Sequence, residues 1–408
     1  MTPSPHGEPP VIRINARAAQ RLRAGHPWVY RSDLTSREAP TPRAALVRVA
    51  DDKGRPLATA LSSSSSQIAL RVIGPADFQQ GDFKDDLPRW LQRRVAAAVA
   101  YRRRWVRESD AYRVVFSEAD GLPGLIVDRY GDVFTLQTLT QAMDREDLRQ
   151  AAVTALQHEF GQDIHIVDRG EARIRELEEI PPLDVRQLAG EKNRTIFTMN
   201  GLQYHYSADA GQKSGAFLDQ RENYAAAARY AHGDALDVFC YQGGFALHLA
   251  QVCTQVTGVD ASRPALEVAE ANAELNAAKS KVPELEWIEA NAFDLLSDYA
   301  AAKTMFDTIV LDPPAFAQTK RATEAAARGY KELNLRALKM LRPGGILITN
   351  SCSHHVSEGD FAAMLAAAAV DAKRTVRILE KRGQSPDHPV VATIPETSYL
   401  KCFIAEVE

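Results

Sequence analysis

The chain has little that would tie it to a membrane, a metal or an oxidising compartment. No run approaches the roughly 18 consecutive apolar residues of a membrane-spanning helix, so no membrane partner is expected. The opening MTPSPHGEPP has neither a basic stretch nor an apolar core, and no signal peptide is expected there. Cysteine is scarce: Cys240, Cys253, Cys352 and Cys402 stand apart, with no CxxC and no metal-ligand spacing. That speaks against a disulfide framework and against a zinc site, so a cytoplasmic location and no bound metal are the expectations. The formal net charge of −4 does not by itself announce a nucleic-acid binder.

The charge is nevertheless unevenly spread. Leu87 to Arg107 holds seven arginines and no acid, and Val11 to Ser32 holds five arginines and no acid. An acidic protein can still offer a basic face to phosphates, because salt screens charge within about 8–10 Å. With 408 residues, 45% apolar and 25% charged, two or three packed domains are expected.

Residues 1–10 read as a proline-rich flexible tail. Residues 11–76 carry short β-like pieces, VIRIN, ALVRVAD and QIALRVIG, punctuated at Asp51–Gly54 and Gly74-Pro75; they predict a small β-barrel. The serine run Ser62–Ser66 falls between strands, as an edge or loop. Residues 77–190 read as a middle α/β unit. It has a helix from Leu87, then FSEADGLPGLIVDRYGD and VFTLQTLTQ as two strands around a turn with Gly121, Pro123 and Gly124, then a helix near Asp144–Phe160 and the strand IHIVDR. Over 191–408 strands alternate with helices of 10–15 residues, which predicts βαβ units and a parallel sheet. TVRILEK and YLKCFIAEV, joined without a helix, suggest an antiparallel pair at its edge.

Three successive strand ends of that sheet carry groups suited to a nucleotide-like cofactor. The first ends in Asp237-Val238-Phe239-Cys240-Tyr241-Gln242-Gly243-Gly244, where glycines allow close backbone approach and a helix N-terminus supplies free N–H groups. The second ends in Asp260, placed to accept hydrogen bonds from ribose hydroxyls. The third ends at Asn291 and Phe293, an amide and a ring for an adenine. G-x-G-x-x-G is absent, which counts against a dinucleotide fold.

The fourth strand ends in Asp312-Pro313-Pro314-Ala315-Phe316. Two prolines fix the backbone and hold an acid and a carbonyl at the sheet's mouth, while Phe316 could stack on a flipped base. The fifth runs into Ser351-Cys352-Ser353-His354-His355. Carbon 5 of a pyrimidine is a poor nucleophile, and a thiolate adding to carbon 6 activates it. Cys352 sits among polar residues, whereas Cys240, Cys253 and Cys402 lie in apolar segments and suit plain packing.

These residues resemble the ribosomal RNA large subunit methyltransferase I family, the PUA-domain 5-methylcytosine methyltransferases of 23S ribosomal RNA. The likeness runs from about Val11 to Val407, through VIRINARAAQRLRAGHPWVYRSDL, SQIALRVI, FSEADGLPGLIVDRYGD, GQKSGAFLDQREN, VFCYQGGFALHLA, DPPAFA and SCSHH. It implies a PUA-like RNA-binding barrel, a middle domain and a class I (Rossmann-like) methyltransferase domain using S-adenosylmethionine. It implies cofactor contacts from Gln220, Arg221, Asp237, Phe239, Tyr241, Gly243, Asp260, Asn291 and Asp312. Lys213, Pro313, Pro314 and Phe316 are expected on the substrate, with Cys352 and Asp312 catalytic. Large-subunit ribosomal RNA is the expected partner, with a homodimer left open. Two other readings stay open: methylation of a base nitrogen through the DPPAF turn, which needs no cysteine, and a non-catalytic RNA-binding module. A small-molecule methyltransferase would leave the barrel and the arginine-rich helix without purpose.

Overall fold

The computed structural model describes residues 9–35, 41–76, 87–209, 215–281, 285–316 and 323–408. Residues 1–8 of the expected tail and Lys213 lie outside the described residues. The N-terminal unit is a curled five-stranded sheet made of β1 (Val11–Arg13), β2 (Trp28–Tyr30), β3 (Leu46–Ala50), β4 (Pro56–Ser62) and β5 (Ile68–Pro75), in the order β1-β3-β4-β5-β2. Ile14, Val29, Val47, Val49 and Leu70 fill its core at no exposure, each stabilising by about 1.5–3 kcal/mol through burial. Between β1 and β2 runs a short helix, α1 (Ala16–Arg23), whose Asn15 side chain accepts from the Ala18 N–H at 2.9 Å. The sequence pattern did not predict it, because three arginines in eight residues leave only a thin apolar stripe. The serine run closes β4 and then docks outward. Ser63 Oγ donates to Glu178 at 2.7 Å and Ser64 Oγ to Gln141 at 3.1 Å, both in the middle unit.

That unit packs α2 (Leu87–Trp105) and α3 (Glu146–Phe160) on the sheet β6 (Ala111–Phe116), β7 (Leu125–Tyr130), β8 (Val133–Thr138), β9 (His165–Asp168) and β10 (Arg186–Ala189). A single turn, α4 (Ala172–Leu177), separates β9 from β10. The Gly121–Gly124 turn joins β6 to β7; the segments LIVDRY and VFTLQT pair with each other across Gly131-Asp132. The sequence reading places two strands around the turn with Gly121, Pro123 and Gly124 and does not read Ala111–Val115 of β6 as a strand; the short helical turn Ser117–Asp120 stands between β6 and that turn. A hairpin, β11 (Arg194–Met199) and β12 (Leu202–Ser207), leads into the C-terminal domain.

There α5 (Arg221–Tyr230) precedes β13 (Asp234–Val238), α6 (Gly244–Leu249), β14 (Gln255–Asp260), α7 (Arg263–Leu275), β15 (Glu286–Glu289) and α8 (Ala292–Ala302). The chain then returns through β16 (Phe306–Leu311), α9 (Thr323–Met340), β17 (Leu341–Ser351), α10 (Glu358–Ala372), β18 (Val376–Arg382) and β19 (Lys401–Val407). Strand order is β15-β14-β13-β16-β17-β19-β18, with β19 antiparallel to both of its neighbours. Thus β19 is an inner strand, and of this pair β18 alone lies at an edge, with β15 at the other. The order reverses between β13 and β16, and in open parallel sheets ligands bind beyond the carboxyl ends at that crevice.

One buried knot ties this domain to the middle unit. Asp387, between β18 and β19, is fully buried; its carboxylate accepts from Arg221 at 2.8 Å and from the Arg113 N–H at 2.9 Å. Its carbonyl accepts from Arg102 of α2 at 2.8 Å. Burial alone would raise its pKa, but His388, Arg221 and the Arg113 N–H outweigh burial and hold it at about 2.

Candidate active site

The loop after β13 is held in an unusual backbone path: Phe239, Tyr241 and Gly243 all have positive φ, at 68°, 50° and 85°. Gly243 is the one that needs no compensation. Gly244 is required by packing, since a Cβ there would stand 2.5 Å from the Tyr224 ring. Beneath the loop Asp237 is fully buried, and its Oδ2 accepts from the Ala246 N–H at 2.8 Å while Oδ1 has no partner. Burial, reinforced by Asp312 and Asp260 and opposed by the Ala246 N–H, raises its pKa well above the usual carboxylate range. An orphaned carboxylate oxygen is costly when buried and suits a cationic or N–H-bearing ligand group.

Asp260, at the end of β14, accepts from Tyr241 N–H at 3.0 Å and Ser262 N–H at 2.9 Å, fixing the loop against α7. Each carboxylate oxygen keeps a lone pair for a hydroxyl. Asn291 caps α8, accepting from Phe293 N–H at 2.9 Å. A small cleft beside the Gly243 loop is lined by Phe217, Phe239, Tyr241, Gln242, Gly244 and Asp312. Phe217 and Tyr241 meet across it at 5.2 Å between ring centres. An elongated cofactor with an amino-acid end, a ribose and a base fits this donor set.

At the end of β16, Asp312 is half-buried and accepts from Gln220 Nε2 at 2.9 Å. Burial and the nearby Asp219 charge push its carboxyl up to about 7, against the Gln220 bond. Gln220 in turn accepts from Asn223 at 2.6 Å. Arg221 stands one layer back, fully buried on Asp387. Pro313 is buried, Pro314 exposed, and the half-buried Phe316 ring leans on Tyr330 at 4.8 Å. Cys352 is half-buried beyond β17, and its thiol feels the charges of Asp312 and Asp219. Burial first, then these acids, push it up to about 11.

Sequence reasoning missed Lys401, Asp219 and Tyr399, which surround this end of the sheet. Tyr399 donates to Asp219 at 2.6 Å, and its ring packs 5.4 Å from that of His354. The usable signal for Lys401 was a lone cation opening an otherwise apolar strand, LKCFIAEV.

The arginine-rich segments divide. Near the N-terminus Arg21 pairs with Asp33, Arg23 with Asp51 at 3.2 Å, and Arg31 donates to the Ser63 and Ser66 carbonyls. On α2, Arg89, Arg93, Arg103 and Arg104 are exposed, as is Arg107 just beyond its end, whereas Arg102 is fully buried in the Asp387 knot.

The fold and its crevice define a class I, Rossmann-like S-adenosylmethionine methyltransferase fold behind a PUA-like barrel. The PUA-like domain model matches residues 12–74, and the methyltransferase domain model matches residues 231–384. The structure of SMU.776, a methyltransferase complexed with SAH, superposes with TM-score 0.82 at 18% identity, covering 97% of this chain and 100% of that one. A SAM-dependent methyltransferase from Streptococcus mutans gives 0.80 at 18% identity, with the same coverage. The chain is 36% identical over 406 residues to ribosomal RNA large subunit methyltransferase I of Klebsiella pneumoniae (strain 342), covering 98% of each chain. It is 36% identical over 404 residues to the protein of that name from Yersinia pestis bv. Antiqua (strain Angola), covering 97% of this chain and 99% of that one. The chain belongs to the ribosomal RNA large subunit methyltransferase I family.

Proposed function

We propose that the chain methylates carbon 5 of a cytosine in large-subunit ribosomal RNA, that of the 23S molecule, with S-adenosylmethionine as donor and Cys352 as nucleophile. The observation that carries this reading is the meeting of a half-buried thiol and a near-neutral carboxyl, Cys352 and Asp312, at the end of two adjacent strands beside the glycine loop. The substrate is inferred from the relatives' names, and the donor from the fit of the cleft.

Asp237 and the Gly243 loop would face the donor's amino-acid end, Asp260 its ribose and Asn291 its base, with Phe239, Tyr241 and Gln220 shaping the walls. Arg221 would act from behind by fixing α5. When bound, the donor supplies an electrophilic methyl group on a sulfonium. The exposed arginines of α2 and the barrel hold RNA by its phosphates. The flipped cytosine lies between Phe316 and Cys352, its edge held by Asp312 and the Pro313-Pro314 turn, with Lys213 on the same substrate. Cys352 loses its proton and adds to carbon 6, and the displaced electron pair makes carbon 5 nucleophilic. After methyl transfer a base removes the carbon-5 proton and the sulfur–carbon bond breaks.

A second reading keeps the methyltransferase and dispenses with the thiol. A thiol held near 11 favours it, because the Asp312 turn could accept hydrogen bonds from a base amino group. One experiment separates them: labelled S-adenosylmethionine and total ribosomal RNA with the native chain and Cys352→Ala, the product nucleoside identified by mass spectrometry. 5-Methylcytosine from the native chain and none from the variant supports the cysteine route. A methylated purine, or full activity without the thiol, overturns it.

A further inference from the structure

The two strands beside the thiol run antiparallel, with Ser351 directly opposite Lys401. Lys401 is 8% exposed, an uncommon place for a lysine, because burying an ammonium costs several kcal/mol unless its hydrogen bonds are met. Its Nζ donates to the Ser353 carbonyl at 2.7 Å and to the Tyr399 carbonyl at 2.7 Å. An ammonium has three N–H groups, so two are spent on carbonyls and neither of these acceptors carries charge. One of them belongs to the residue that follows Cys352.

We propose that Lys401 is the cationic partner of Cys352: a positioning residue that pins the backbone next to the thiol and supplies the positive charge that favours thiolate. The inference rests on the reading of Cys352 as nucleophile. The groups facing the thiol come from four elements. Asp312 follows β16, Asp219 precedes α5, Tyr330 projects from α9 and Lys401 opens β19. The two acids oppose ionisation, while Lys401 and the thiol's own backbone hydrogen bond favour it. Lys401 is faced in turn by Cys352 and by His354, which has His355 beside it. Burial pulls the lysine down and the charge of Cys352 pulls it partly back, leaving it at about 8. Each group's charged form therefore relieves the cost of the other's, as expected for a buried pair of opposite sign. When sulfur adds to carbon 6 the S–H bond breaks, the S–C bond forms and the proton leaves to solvent. When the S–C bond breaks, the same ammonium steadies the departing thiolate.

The test needs no RNA. Cys352 of the full chain is alkylated with iodoacetamide across neutral to alkaline pH, and the rate is read on its own peptide by mass spectrometry. Lys401→Gln keeps N–H donors for both carbonyls and removes the charge. At about pH 8 its alkylation is expected to be roughly tenfold slower, with the profile displaced upward. Lys401→Arg keeps the charge and is expected within about threefold of native. Folding of each variant is checked by S-adenosylhomocysteine titration, and Lys401→Met replaces Lys401→Gln if the latter does not fold. A native rate and profile in the charge-less variant, or an arginine variant as slow as it, overturns the inference. The nucleoside assay is read separately, so failure of the cytosine reading and failure of the lysine pairing are told apart.

Discussion

At the carboxyl ends of β13, β14 and β15 the side chains mostly serve the backbone, whereas at the ends of β16 and β17 they are held away from their ordinary states. Asp260 takes two N–H groups, Asn291 caps a helix and Asp237 takes the Ala246 N–H. Across the crevice Asp312 sits at about 7, Cys352 at about 11 and Lys401 at about 8. One half of the mouth is a rigid cradle whose shape is fixed by satisfied hydrogen bonds. The other half stores unfavourable ionisation that a bound reactant can release, as expected where proton and nucleophile chemistry take place. Asp237, with its one orphaned oxygen, is the cradle's exception, and on the proposed reading the donor would complete it.

The sharpest break of this contrast is Cys352→Ala. Loss of 5-methylcytosine formation by on the order of a thousandfold or more is expected, with S-adenosylhomocysteine affinity by calorimetry unchanged within about twofold. Asp260→Ala should do the reverse. It removes charged hydrogen bonds worth about 1.5–3 kcal/mol, so cofactor affinity falls about 10- to 100-fold while the rate at saturating cofactor is largely kept. An unchanged affinity would place the ribose elsewhere.

Asp312→Asn sharpens the comparison through stability. A carboxyl whose folded pKa is raised from 3.8 to about 7 contributes fully below its unfolded value, and that contribution is lost as pH rises toward 7. Because Asp312 is partly solvent-accessible, the cost above neutrality is taken as about 1 kcal/mol. The asparagine variant should therefore melt about 1–2 °C above native at pH 8, with a smaller gain at pH 4, while losing activity. Smallest is the effect of Arg104→Ala on α2 together with Arg107→Ala just beyond its end. RNA affinity should fall several-fold and the slope of log affinity against log salt should drop by up to about 2. An unaltered salt slope would remove this helix from the RNA face.

The cradle was legible in the sequence because its chemistry lies at strand ends with fixed spacing: a glycine pair after β13, Asp260 after β14, Asn291 after β15, Asp312 and Cys352 after β16 and β17. The alternating pattern also predicted the parallel sheet. What escaped is set by tertiary neighbours. Lys401 becomes part of the site only because β19 threads between β17 and β18, which no local pattern dictates. Arg102 has the same helical neighbourhood as Arg103 and Arg104, yet it alone is fully buried. The N-terminal arginines, read as a phosphate face, are largely engaged by Asp33, Asp51 and loop carbonyls. Helix α10 went unread because its alanine-rich stretch has a buried face with little periodic contrast.

The knot at Asp387 bears on how a target can be chosen. Swinging the middle unit away from the catalytic domain would strip a fully buried carboxylate of the Arg113 N–H, and the buried Arg102 of its carbonyl acceptor, while Arg221 stayed with Asp387. Leaving a buried donor or acceptor unmet costs about 1–3 kcal/mol each, which holds the two units together. The span from the exposed arginines of α2 to Cys352 is therefore held in place, and on the proposed reading the protein would act as a caliper. An RNA whose backbone and target base are offset by another distance would have to bend to be read, so the deformability of the RNA becomes part of the recognition.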